Sequence, residues 1–70
     1  MQMPPFRFGE ITYEPKGKPV VLLFPSGDAF EFNSPEGAKD YLESARRAGA
    51  VGADQTTMFQ FQHGEWYQVE

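Results

Sequence analysis

VVLLFPSGDAFEFNSP, residues 20–35, decides the fold, because it reads as strand, turn, strand and helix start in one run. Val20 to Phe24 is continuously apolar and β-branched at its start, which suits a central strand buried on both faces. Pro25-Ser26-Gly27-Asp28 reads as a tight hairpin turn with Ser26 and Gly27 at its tip. That turn sets Leu23 opposite Phe30, Val21 opposite Phe32 and Phe24 opposite Ala29, so both faces of the hairpin are apolar. Ser34 then offers a side-chain cap for free backbone N–H groups, and Pro35 suits the first position of a helix.

Beyond Pro35 the spacing predicts a helix to about Ala48. Ala38, Tyr41, Leu42, Ala45 and Ala48 form one stripe, with Lys39, Asp40, Glu43, Arg46 and Arg47 on the opposite side. Acids early and arginines late suit the helix dipole, and Gly49 is a left-handed stop. Ala50 to Gln55 reads as a featureless loop. Thr56 to Gln62 and Glu65 to Glu70 form a second hairpin about His63-Gly64, pairing Phe61 with Trp66 and Met58 with Val69. Phe59, Phe61 and Trp66 then share one face, and Met58, Tyr67 and Val69 the other. Before Val20, Phe6-Arg7-Phe8 and Glu10 to Glu14 both alternate with period two, but their parity flips at Gly9. A bulge there predicts one edge strand with Phe6, Phe8, Ile11 and Tyr13 on one face, ended by the turn Pro15 to Pro19.

The expected architecture is a single small α+β domain over residues 1–70. It has an antiparallel sheet of about five strands, in the order β-β-β-α-β-β, and one helix packed on one face. Ala38, Tyr41, Leu42 and Ala45 should meet Phe30, Phe32, Phe59 and Phe61. A chain of 70 residues hides only about 60% of the surface it exposes when unfolded, so its core needs heavy pieces. No cysteine is present, which excludes disulfides and thiolate metal sites. Aromatic residues at 16% supply the bulk instead, each buried ring removing roughly 150–250 Å² from water. A helix of this length is about 21 Å by 10 Å, and five strands span some 20–24 Å (about 4.8 Å each), so the helix covers about half of one face. The rest either curls toward a partial barrel or takes a partner, a second copy or a foreign chain.

Six Lys and Arg against ten Asp and Glu give a net charge of -4. Direct binding to nucleic acid or to an anionic membrane needs a basic stripe, so neither is expected, and a partner with a basic surface is favoured. Val20 to Phe24 falls far short of the ~20 apolar residues that span a bilayer. Met1 to Phe8 lacks the basic start and long apolar middle of a signal peptide, so a cytoplasmic protein is expected. The one histidine, His63, sits at a hairpin tip with Glu65 as its only nearby carboxylate, and reads as a turn residue. Ser26, Ser34 and Ser44 read as a turn, a cap and a surface residue. Asp28, Glu31, Glu36 and Asp40 lack the register of a calcium loop, and the glycines form no phosphate cradle. Neither enzyme, cofactor nor metal is expected. Aromatic rings on strands suit single-stranded nucleic acid, but no basic groove accompanies them. Tyr13, Trp66 and Tyr67 are the candidate contact rings, with the acids Asp28, Glu31, Glu36, Asp40 and Glu43 beside them.

Tyr13-Glu14-Pro15, Leu22-Leu23-Phe24, Ser26-Gly27, the pair Phe30 and Phe32, Pro35 and a helix ending near Ala45 resemble the small KTSC-type domain over about half of the chain. The family's cysteine is missing, and the chain runs on past Gly49 into a hairpin where the family has an asparagine-containing finish. No functional residue is carried over. Size, acidity and lack of catalytic groups are similar to the short proteins with which phages and other mobile elements block host nucleases and polymerases. The expected function is a non-catalytic acidic protein-binding module that inhibits or modulates a basic, nucleic-acid-handling protein. The alternative is a homodimeric structural or assembly protein that buries its open sheet face against itself. If the sheet closes over its rings, the contact site moves to the acidic rim.

Overall fold

Everything in the structure is laid on Val20–Leu23, a strand buried along its whole length. A computed structural model describes residues 3–69. Along the chain run β1 (Phe6–Phe8), β2 (Ile11–Tyr13), β3 (Val20–Leu23), β4 (Ala29–Phe32), α1 (Pro35–Arg47), a 3-10 turn (Ala53–Gln55), β5 (Thr57–Gln62) and β6 (Glu65–Gln68). Four strands form an antiparallel sheet in the order β4-β3-β5-β6, while β1 and β2 pair separately. The fold is the expected α+β class with a packed helix, but the described residues form six strands in two sheets, where about five in one sheet were expected.

Gly9 accounts for the additional strand. It takes φ +63, and the chain reverses at Gly9-Glu10 to pair Phe6 with Tyr13, Arg7 with Thr12 and Phe8 with Ile11. A left-handed glycine at the first centre of a two-residue turn suits the twist of a hairpin. The parity flip is therefore a reversal of the chain and not a bulge. Opposed residues of a hairpin point to the same side, so Phe6, Phe8, Ile11 and Tyr13 still share one face.

The β3–β4 turn is one residue longer than expected. Gly27 N–H donates to the Phe24 carbonyl at 2.9 Å and Phe24 N–H to the Asp28 carbonyl at 2.8 Å. Pro25 sits where its fixed φ suits the first centre of a turn, and Gly27, at φ +98, takes the left-handed position that ends a three-residue loop. Leu23 thus faces Ala29, Leu22 faces Phe30, Val21 faces Glu31 and Val20 faces Phe32. One residue of slip moves Phe30 and Phe32 from the face of Val21 and Leu23 to that of Val20 and Leu22.

Helix α1 lies on the face of Val20 and Leu22. Ser34 caps it by accepting from the Gly37 N–H at 3.2 Å, with Pro35 in the first turn. Gly49, at φ +73, closes the other end: its N–H reaches the Arg46 carbonyl at 3.1 Å and the Ala50 N–H reaches Ala45 at 2.9 Å. Ala38 is fully buried, and Leu42 and Phe32 pack on the cluster of Val20, Leu22, Phe24 and Met58. The Tyr41 ring lies 5.3 Å from Phe30 and 5.4 Å from Phe32. Phe59 and Phe61, also expected under the helix, are on the far side. β5 sets Met58 opposite Leu22 and Phe59 opposite Val21, which turns both phenylalanines away.

The β1–β2 hairpin covers that far side. Ring centroids lie 4.5 Å apart for Phe6 and Phe59, 4.9 Å for Phe6 and Trp66, 5.3 Å for Phe8 and Phe59 and 5.2 Å for Phe61 and Trp66. The face expected to curl shut or take a partner is closed by the chain's own beginning, giving three layers: helix, sheet and hairpin. β5 and β6 turn at His63-Gly64, whose φ values of +52 and +81 suit a hairpin turn of the mirror-image kind. Phe61 pairs with Trp66, and the Val69 N–H donates to the Met58 carbonyl at 2.7 Å, both as expected; Glu70 lies outside the described residues. The segment read as a featureless loop packs Ala53 into the fold, and Thr56 Oγ1 donates to the Gly52 carbonyl at 3.0 Å.

Candidate partner-binding surface

Three of the residues expected to contact a partner use their polar groups in bonds within the chain. Glu31 extends from β4 on the hairpin side. Its carboxylate accepts from the Tyr13 hydroxyl, from the Lys16 N–H at 2.8 Å and from the Lys18 N–H at 3.1 Å. It clasps the end of β2 and the following linker to the edge of the sheet. Burial alone would raise the Glu31 pKa. The bonds from Tyr13 and the two amides, with the Lys16 charge, outweigh it and hold the carboxyl below its ordinary value. Burial first, then the hydrogen bond to Glu31 and its charge, push the Tyr13 hydroxyl far up. Trp66 is half-buried against Phe6 and Phe61, and its Nε1–H donates to the Pro4 carbonyl at 2.9 Å. Tyr13, Glu31 and Trp66 thus hold the hairpin on the sheet.

The other acids face outward. Glu36, Asp40 and Glu43 recur at helical spacing on the outer surface of α1, all exposed, with Glu43 accepting from Arg47 Nη2 at 2.8 Å. Arg46 pairs with Asp54 at 3.4 Å. Asp28 accepts from the Ser26 hydroxyl at 3.1 Å in the β3–β4 turn. That turn lies at the end of β4 away from the helix start, so Asp28 is not brought together with Glu36.

Tyr67 occupies a different setting. Helix α1 packs over β3 and β4 and Leu42 reaches Met58, while the helix-side surface of β5 and β6 beyond Met58 and Val69 is left open. A cleft of about 330 Å³ runs along this boundary, lined by Lys39, Leu42, Glu43, Arg46, Thr56 and Met58. Past the cleft, strand alternation places Gln60 and Tyr67 as an opposed pair on the open surface. Tyr67 is 47% exposed, with its hydroxyl 3.4 Å from the Glu65 carboxylate. A second cleft of about 300 Å³, lined by Tyr13, Lys16, Lys18, Ala29, Phe30 and Glu31, follows the outer edge of β4.

The chain matches no known protein family, no curated protein and no solved structure. Its surface therefore carries the functional argument. Among the described residues no three His, Cys, Asp or Glu side chains are placed to share a metal ion, and no helix is long and apolar enough to cross a membrane. Lys39, Leu42, Arg46 and Met58 were not singled out as contact residues from the sequence. Their signal was the off-centre position of Leu42 in the helix stripe, together with a second hairpin whose helix-side residues after Met58 turn polar at Gln60 and Gln62.

Proposed function

We propose that this chain is a non-catalytic, acidic protein-binding module that holds its partner on the open half of the helix-side surface. The observation that carries this reading is Tyr67, half exposed on β6 on the same side of the sheet as a cleft lined by Leu42 and Met58. A ring already fixed on a strand loses little entropy when a partner closes over it, and such rings dominate interface energetics. Glu36, Asp40 and Glu43 stand on the neighbouring outer surface of α1, in a chain of net charge -4. That charge favours a partner with a basic surface and speeds encounter with it. A protein that handles nucleic acid fits, blocked or modulated in the cytoplasm by a small stoichiometric inhibitor of the phage or mobile-element type. The role needs no cofactor, metal, nucleic acid or membrane. The homodimeric assembly protein that buries an open sheet face against itself has less support, because β1 and β2 occupy the face it would use.

Capture from a native lysate tests the reading, with the wild-type chain, Tyr67→Ala and the triple variant Glu36→Gln, Asp40→Gln, Glu43→Gln immobilised in parallel. The expected result is a basic protein retained by wild type at low salt, released as salt rises, and held at least about tenfold more weakly by Tyr67→Ala. Equal retention of the same proteins by all three chains, or retention indifferent to salt, would overturn it.

A further inference from the structure

We infer that two copies of this chain pair through the outer edges of β4, antiparallel and centred on Phe30, to form one continuous sheet of eight strands. This goes beyond the protein-binding role and uses the opposite edge of the sheet. The hydrogen-bond phase of the β3–β4 hairpin is set by the Phe24 N–H bound to the Asp28 carbonyl. Alternation then makes Leu22–Phe30 and Val20–Phe32 the pairs that exchange hydrogen bonds across β3–β4. The N–H and C=O groups of Ala29 and Glu31 consequently point away from the sheet, and among the described residues no other backbone group bonds to them. β4 is an edge strand without proline, bulge or lysine; it is short, and its one charge, Glu31, is turned to the linker amides of Lys16 and Lys18, which leaves the outward main-chain groups of Ala29 and Glu31 unpaired by backbone among the described residues.

The register follows from charge. With Phe30 at the twofold axis, each Ala29 faces the second copy's Glu31, and the pair of strands gains four main-chain hydrogen bonds. Centring on Glu31 would set two carboxylates opposite each other, which is unfavourable. At the centre the two Phe30 rings, each 41% exposed, meet as a close pair without hydrogen bonds between their backbones, backed by Tyr41, itself 40% exposed. The flank of α1 that carries Tyr41 also presents Gly37, Ser44 and Ala48 at helical spacing. It has no charge and little bulk to hold two helices apart. On the other side of the sheet, Lys16 and Lys18 line the cleft below the edge and place positive charge beside both Glu31 carboxylates. The strands and rings bury on the order of 1,000 Å² in total, the lower end for a specific interface, so a micromolar dimer is expected.

Sedimentation velocity from about 1 to 500 µM tests this, since a micromolar dimer changes population within that range. The expected result is a concentration-dependent step from monomer to dimer, with slowed amide exchange at Ala29 and Glu31 as it forms. Ala29→Pro removes an outward N–H and none of the β3–β4 bonds, so it should weaken the dimer at least about tenfold without altering Trp66 emission. Phe30→Lys, which opposes two charges at the axis, should do the same. A chain that is monomeric throughout the range overturns the inference. So does a dimer that tolerates both substitutions, or one that leaves exchange at Ala29 and Glu31 unchanged. An extended foreign peptide that protects these amides in a chain with no dimer would assign the edge to another protein and also overturn it.

Discussion

The two faces of β3 are equally buried but are covered in opposite ways. On one side lies a single regular element, capped by Ser34 and Gly49, whose small and aliphatic stripe meets Val20, Leu22 and Met58. On the other lies a hairpin of two three-residue strands. An isolated two-stranded ribbon of that size is marginal in water. Its attachment comes from Phe6 and Phe8 stacked on Phe59 and Trp66, and from the Glu31–Tyr13 clasp at the rim. The helix cover is stabilised along its own backbone as well as by packing. The hairpin cover depends almost wholly on rings, so it should open first and as a unit.

The largest effect should come from the ring both hairpin phenylalanines touch. Phe59 is buried at 6% exposure, and Phe59→Ala should cost about 3–5 kcal/mol and release β1 and β2 together, read as a lowered denaturant midpoint and a red shift of Trp66. A loss below about 1 kcal/mol would mean the hairpin is not packed as described. Phe6→Ala removes a half-buried ring and should cost about 2 kcal/mol. Amide exchange should rise in β1 and β2 well before it rises in α1. If α1 and the hairpin lost protection in one step, the contrast between the two covers would fail. On the helix side, Ser34→Ala removes the bond to the Gly37 N–H and should cost about 1 kcal/mol, confined to the first turn of α1.

The helix was the most legible element, because its signals are local: Ser34, Pro35, the apolar stripe and Gly49 all lie within the segment they organise. The second hairpin was legible for the same reason, with His63-Gly64 fixing its register. Where one residue of turn length decided the outcome, local reading failed. Ser26-Gly27 resembles a two-residue tip, but Pro25 belongs inside the loop, and the slip reassigns Phe30 and Phe32 to the helix side. At Gly9 the sequence allows a bulge or a reversal, and only packing of Phe6 and Phe8 on Phe59 selects the second. The surface suffered most from this. Tyr13, Glu31 and Trp66 look like free contact groups until the hairpin that carries Tyr13 folds back onto Glu31 and Trp66, whereas Tyr67, next to Trp66 and so on the opposite face, remains outside.

The smallest predicted effect separates the two covers by pH. Glu31 is held below its ordinary pKa of 4.5, so its contribution is complete above that value and is lost as pH falls through the lower, folded one. Tyr13 is held above its ordinary 10.0, so its contribution is complete below pH 10 and is lost as the hydroxyl ionises at higher pH. The hairpin should therefore be most firmly seated across a plateau from about pH 5 to 9, loosening in acid and again in strong alkali. Solvent reaches the clasp, so each step should stay below about 1 kcal/mol. Amide exchange in β1 and β2, compared at equal intrinsic rates, reads both limbs, with α1 as the internal reference. Glu31→Gln should abolish the acid limb in the hairpin, and Tyr13→Phe the alkaline one, while α1 stays unchanged. An acid limb that survived Glu31→Gln would assign it to other carboxylates, and would leave the rings alone to hold the hairpin against the sheet.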